Sequence, residues 1–264
     1  MGLDAYVICN CVKQGRVKPP PFDIGLLEWT EYGIDLPDSV DDETCDLFSE
    51  WREHACEHED FYYYYDRVYN ISGGNLFYGI MEQLGQENFP LLKSIGEKTF
   101  TANQARKALE ELDILESQIS KIQGVFLIES KTQEEYMRAV FDNDRWNYSS
   151  SGNFTYELNE RGFCIVDQNK GELFQSTEFS QELVRPEKGN KGRRLVRFRD
   201  FETGRVYEST YPLSKKIWGV EELYYPKSLQ VLMRKLRGSD LRFIRVMREL
   251  CEASIQTGNP IMWA

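Results

Sequence analysis

Histidine is nearly absent from these 264 residues, with two in the whole chain, and no run of about 18 apolar residues offers a membrane span. Both histidines, His54 and His58, fall inside the single stretch Asp41–Asp60, so any imidazole chemistry is confined to it. Met1-Gly2-Leu3-Asp4 has neither a basic n-region nor an apolar h-region, which argues against an ordinary secretory signal and for a cytoplasmic protein with no membrane partner. Gly2 is not a myristoylation signal, because Tyr6 stands where Ser or Thr is needed. Cysteine is sparse as well. The six, at 9, 11, 45, 56, 164 and 251, are too few for a disulfide scaffold and read as thiols in a reducing compartment.

What is present in excess is negative charge, and it is unevenly placed. The net charge is −11. Gln181–Leu250 holds 17 Lys and Arg against 9 Asp and Glu, a local +8 that leaves −19 for the remainder. Such a surface repels nucleic acid over most of its area, although a local basic patch still reaches a phosphate.

Ala5–Val12 is β-rich and reads as a strand buried on both sides, with Cys9 and Cys11 sharing a face with Ala5 and Val7. Pro19-Pro20-Pro21 ends it, Phe22–Trp29 adds a candidate strand, and Ser39 is placed to cap a helix running from about Val40 to Asp60. A helix is expected near Leu76–Leu84, stopped by Gly85. Thr101-x-x-Gln104 is a capping box for a longer helix that Gly124 closes. Val125–Ile128 reads as a strand and Thr132–Phe141 as a helix; Ser149–Gly152 is the best linker. Phe154–Leu158, Phe163–Val166, Arg194–Asp200 and Arg205–Thr210 read as strands, the last two as a hairpin around Phe201–Gly204. Ser228–Leu236 and Ser239–Ile255 read as helices, and Ile261–Trp263 as a final strand able to pair with the first. These patterns predict an α+β fold: a helix-rich part over 1–146, an antiparallel β module over 147–226, and helices and a strand over 227–264 that return to the first part.

The helix expected over 41–60 carries the candidate chemistry. On a wheel, Cys45, Phe48, Trp51, Ala55 and Cys56 share one side, and Asp42, Glu43, Asp46, Glu50, Glu53 and Glu57 share the other. Like pairs four residues apart cost a helix about 0.2–0.5 kcal/mol each, so an all-acid face gives up stability that lysines would supply. Such a field steers a basic protein partner, which makes these six residues the candidate binding surface; the bland alternative is a solvated face.

His54-Ala55-Cys56-Glu57-His58 fits the H-x-x-E-H pattern of zinc-dependent hydrolases, with Glu134 or Glu135 as an acidic third ligand. The protease context around that motif is missing, and acidic neighbours favour imidazolium over metal binding. Cys9-x-Cys11 with Cys56 suggests a thiolate site. In an unbroken helix, however, Cys56 projects about 160° from both histidines, so one ion could not take all three. The expectation is therefore no bound cofactor, with zinc at His54, His58 and Glu134 as the alternative. Gly189–Arg194 lacks the Lys-Ser/Thr ending of a phosphate loop, and the strip of Arg197 and Arg199 is a minor candidate for nucleic-acid contact.

Several blocks carry a likeness: Gly2-Leu3-Asp4-Ala5, Cys9-x-Cys11, Pro20-Pro21-Phe22, Trp51, Ala55–Asp60, Phe89–Leu92, Cys251–Ser254 and Gly258–Ile261. Together they resemble a family of uncharacterised bacterial proteins, and the resemblance implies no activity, cofactor or catalytic residue. It covers the first hundred residues and the last fifteen or so; about 143–226 has no counterpart and reads as an inserted β module. Where the family pattern has a Gly and a His after the Cys-Glu-His-Glu-Asp block, this chain has Phe61 and tyrosines, which weakens a metal site at that turn. The reading that ranks first is an acidic, cytoplasmic protein-binding module of the immunity or inhibitor kind, for a basic, toxin-like partner. A zinc hydrolase ranks second and nucleic-acid contact third.

Overall fold

The computed structural model describes residues 2–30, 33–140, 148–151, 154–167, 169–184, 195–216 and 223–264. In chain order the elements are β1 (Leu3–Ile8), β2 (Glu28–Thr30), β3 (Gly33–Asp35), α1 (Asp42–His54), β4 (Tyr62–Tyr69), α2 (Ile71–Leu84), α3 (Pro90–Lys93) and α4 (Ala102–Gln118). Then come β5 (Gln123–Glu129), β6 (Glu135–Val140), β7 (Tyr148–Ser151), β8 (Phe154–Asn159), β9 (Gly162–Asp167), β10 (Gly171–Ser176), β11 (Glu178–Val184), β12 (Leu195–Asp200) and β13 (Val206–Ser209). The chain closes with β14 (Lys215–Lys216), β15 (Leu223–Tyr224), β16 (Ser228–Lys235), α5 (Arg242–Thr257) and β17 (Ile261–Trp263). Helices and antiparallel sheets in these proportions make an α+β fold, as expected. No described helix is long and apolar enough to cross a membrane.

Two compact units result, one of Met1–Gly74, Leu84–Ser117 and Gly238–Ala264, the other of Asn75–Gln83 and Gln118–Arg237. The first is built on a three-stranded sheet, β17-β1-β4, antiparallel throughout, with Tyr6 opposite both Met262 and Tyr65. The pairing of the final strand with the first was legible from their apolar runs. Helix α5 packs on β4 and β1, burying Phe243, Val246, Met247, Leu250 and Cys251. It ends where Gly258 takes the left-handed conformation (φ 75°) and returns its N–H to the Ser254 carbonyl. The capping box is present: Thr101 N–H donates to Gln104 Oε1 at 2.9 Å and Gln104 N–H to Thr101 Oγ1 at 3.3 Å.

The second unit packs a six-stranded sheet, β13-β12-β11-β16-β5-β6, and a four-stranded sheet, β10-β9-β8-β7, around Val125, Leu127, Tyr156, Leu158, Ile165 and a group of four phenylalanines, Phe163, Phe174, Phe179 and Phe198. Two segments expected as helices are strands here. Glu135–Val140 pairs with β5, because Gln133 adopts a left-handed backbone (φ 61°) and donates its N–H to the Glu129 carbonyl, which turns the chain back in a hairpin. Ser228–Lys235 lies between β5 and β11, where sheet pairing outweighs the helix preference of Leu, Gln, Met, Arg and Lys. Ser149–Ser151, read as part of a linker, belongs to β7, which pairs with β8. The junction expected at Asn147 lies outside the described residues.

Asn259 ties the C-terminus to the end of β1. Its Nδ2 donates to the Ile8 carbonyl at 2.7 Å and to Asn10 Oδ1 at 3.0 Å, and Lys13 Nζ donates to its Oδ1 at 2.7 Å. Asn10 Nδ2 in turn donates to the Thr257 carbonyl at 2.7 Å. Asn259 is buried, so Asn259→Ala leaves polar partners unsatisfied and should cost about 2 kcal/mol, lowering the melting temperature by roughly 4–8 °C. Calorimetry checks this; an unchanged melt would place these bonds on a surface that water satisfies.

Candidate metal centre

Helix α1 starts on Asp41, whose carboxylate accepts the Thr44 N–H at 2.9 Å, and ends at His54 rather than at Asp60. There is no glycine or proline to stop it. Instead the Ala55 carbonyl is taken by the Lys18 N–H at 2.8 Å, and the Lys18 carbonyl by Trp51 Nε1 at 2.9 Å, so the proline-rich loop holds the helix end from outside. Phe22, Phe48, Trp51 and Phe61 then pack ring against ring at 5.3–6.3 Å. Beyond the end, Asp60 (φ 49°) and Phe61 (φ 62°) are left-handed, a conformation that costs a non-glycine residue about 1 kcal/mol or more. The Phe61 carbonyl accepts the Cys9 N–H at 2.8 Å, and the Phe61 ring is buried.

This early stop brings Cys56 and His58 together, which a continuous helix would keep apart, while His54 still points elsewhere. Outside the helix, Cys56 and His58 turn inward and meet Cys9 and Cys11, which follow β1; one ligand atom from each of the four lies within 4.8 Å of all the others. Cys9 Sγ is 3.9 Å from Cys56 Sγ, and His58 Nδ1 is 3.5 Å from Cys11 Sγ and 3.8 Å from Cys56 Sγ. Zinc–sulfur bonds of about 2.3 Å and zinc–nitrogen bonds of about 2.0 Å at tetrahedral angles put sulfurs about 3.8 Å apart and sulfur and nitrogen about 3.5 Å apart. The three separations of 3.9, 3.5 and 3.8 Å are close to these edges, and the set as a whole, within 4.8 Å, needs only a small contraction to enclose a zinc ion.

Without a nearby cation, burial favours the neutral thiols. Burial pushes the Cys9 thiol up to about 12, against the Cys11 backbone N–H, which favours its thiolate. Burial also raises Cys11, with Arg16 among the groups that oppose the shift. A dication among these sulfurs supplies the charge that burial withholds. The His58 N–H donates to Cys56 Sγ at 3.4 Å, one more hydrogen bond to a sulfur of the set. Three thiolates and an imidazole form a closed ligand set, with no position left for a catalytic water.

The other candidate residues fall elsewhere. His54 is exposed on the last turn of α1, 3.9 Å from Glu53, and is not in the cluster. Glu134 belongs to the second unit and pairs with Lys215, and Glu135 with Arg138. Asp42, Glu43, Asp46, Glu50 and Glu53 are exposed on α1; Glu57, exposed past its end, pairs with Arg16 at 3.2 Å. Cys45, expected in the core, is exposed. Arg197 pairs with Glu208 across β12 and β13, Arg199 is exposed, and the Gly189–Arg194 loop lies outside the described residues. The signal that marks the centre is two pairs of soft ligands each separated by one residue, Cys9-x-Cys11 and Cys56-x-His58. The second pair fits a metal only where the chain is not helical, which nothing local announces.

Comparison with protein families, curated proteins and solved structures finds no match to this chain.

The helix end also separates two substitutions that look equivalent in sequence. Glu50→Lys, four residues after Asp46 and near the C-terminus of α1, should gain a few tenths of a kcal/mol and raise the melting temperature slightly. Glu57→Lys lies outside the helix, loses Arg16 and places two cations together, so it should lower it. Equal shifts for the two would mean that α1 runs on through Glu57.

Proposed function

We propose that this chain is a zinc-binding protein in which Cys9, Cys11, Cys56 and His58 hold one ion in a closed, structural centre. The observation that carries the reading is the convergence of three thiols and an imidazole within 4.8 Å of one another, with the three separations of 3.9, 3.5 and 3.8 Å close to zinc's tetrahedral edges. Three thiolates favour zinc over the hard cations, and four protein ligands favour a structural ion over hydrolysis. The ion would cross-link the end of β1 to the turn after α1. Protein purified without chelator should carry about one zinc per chain by elemental analysis. Cys56→Ser and His58→Ala should each lose it, and His54→Ala should keep it. Stripping the metal with a chelator should lower the melting temperature by roughly 10 °C, since a ligand held a thousandfold above its Kd stabilises by about 4 kcal/mol. A chain without zinc refutes the reading, and loss of zinc in His54→Ala would restore the hydrolase.

A second reading concerns what the centre holds in place. The carboxylates of Asp42, Glu43, Asp46, Glu50 and Glu53 stand exposed on the helix whose end the centre fixes, which supports a docking face for a basic protein of the toxin-and-immunity kind. The basic partner purified with the chain should associate at a rate that falls with salt, and more slowly with Asp46→Lys plus Glu50→Lys. A rate indifferent to both changes takes α1 out of the interface.

A further inference from the structure

The three thiols of the centre are unequal in access and in placement. Cys9 and Cys11 are each 1% exposed, whereas Cys56 is half-buried, so a small oxidant arriving from solvent meets Cys56 first. Cys9, 47 residues away, places its Sγ 3.9 Å from the Cys56 sulfur. A disulfide needs a sulfur separation of about 2.05 Å, so the two must approach by about 1.9 Å, which side-chain rotation with a small backbone adjustment supplies. Cys11 has His58 Nδ1 at 3.5 Å as a partner. A bridge between Cys9 and Cys11, separated by Asn10 alone, would close a small, strained ring. The His58 backbone N–H donates to Cys56 Sγ at 3.4 Å and favours its thiolate.

We propose that Cys56 is a modification site for hydroperoxides, with Cys9 as its resolving thiol, so that oxidation exchanges the metal for a disulfide. This rests on the zinc reading. In the first step Cys56 sulfur attacks the peroxide: a sulfur–oxygen bond forms, the oxygen–oxygen bond breaks, and hydroxide or alkoxide leaves and takes up a proton. In the second, Cys9 sulfur attacks the sulfenic sulfur: the sulfur–sulfur bond forms, the sulfur–oxygen bond breaks, and water leaves after protonation. The two thiolates together lose two electrons, and one peroxide accepts them. Cys11 and His58 are then the two ligands left, too few to retain zinc.

The test uses zinc-loaded, full-length protein carrying Cys45→Ser, which removes the exposed thiol that lies off the centre. Zinc is measured first, then hydrogen peroxide is titrated in with a chromogenic chelator present. One equivalent of peroxide should release one zinc. Peptide mass mapping should find Cys9 joined to Cys56, a sulfenic-acid trap added at early times should label Cys56, and dithiothreitol with added zinc should restore the loaded protein. Retention of zinc, a bridge between Cys11 and either other cysteine, first labelling at Cys9, or a need for two or more equivalents with sulfinic acid as product would each overturn the proposal. A chain with no zinc before peroxide is added removes the metal reading and this one with it; a chain that holds zinc and keeps it removes this one alone.

Discussion

The first unit depends on where α1 stops. Continued to Asp60, the helix would send Cys56 and His58 to opposite sides and leave Cys9 and Cys11 facing no nitrogen ligand. The stop is imposed by tertiary contacts, not local ones. Lys18 takes the Ala55 carbonyl, Trp51 takes that of Lys18, and the backbone then passes through two left-handed residues that neither glycine nor asparagine relieves. Strain of this kind persists only where surrounding structure over-determines it. Here the buried Phe61 ring and the bond from the Cys9 N–H to the Phe61 carbonyl do so, and the turn that carries the strain also delivers two ligands.

How much was legible follows from the same distinction. Elements whose signals are local were readable: the apolar run of β1, its pairing with β17, the Thr101–Gln104 box, the glycine ending of α5 and the hairpin of β12 and β13. Elements decided by distant partners were not. Ser228–Lys235 has a composition that suits helix and strand alike, and β5 and β11 settle it. Glu135–Val140 alternates buried Met137 and Ala139 with half-buried Tyr136 and Arg138, a period of two that a run of helix formers obscures. The metal centre failed for the same reason, since a wheel drawn through Cys56 and His58 assumes the continuity that Lys18 interrupts.

Stretches distant in sequence form one neighbourhood in the first unit. Cys9 and Cys11 bring thiols, and Pro20-Pro21-Phe22 leads from the loop that caps α1 to the ring packed on Phe48 and Trp51. Cys56 and His58 complete the cluster, and Asn259 binds Ile8 and Asn10 on either side of Cys9. Residues far apart in the chain thus meet within a few ångströms of Cys9.

A centre of this kind answers a physical need of the unit. Its sheet has three strands, and α5 supplies a covering of buried side chains on β4 and β1. The other group, Tyr6, Ile8, Phe48, Trp51, Phe61 and Met262, is covered by α1 and by the loop of residues 12–36, in which β2 and β3 are three residues each. Small cores closed by irregular chain bury little apolar area per ordered residue, and a bound metal is one of the few staples open to a chain without disulfides. An ion held between the end of β1 and the turn after α1 would join the regular half of the unit to the irregular half, so its removal should loosen α1 and the proline-rich loop while leaving the pairing of β1 with β4 and β17 largely intact.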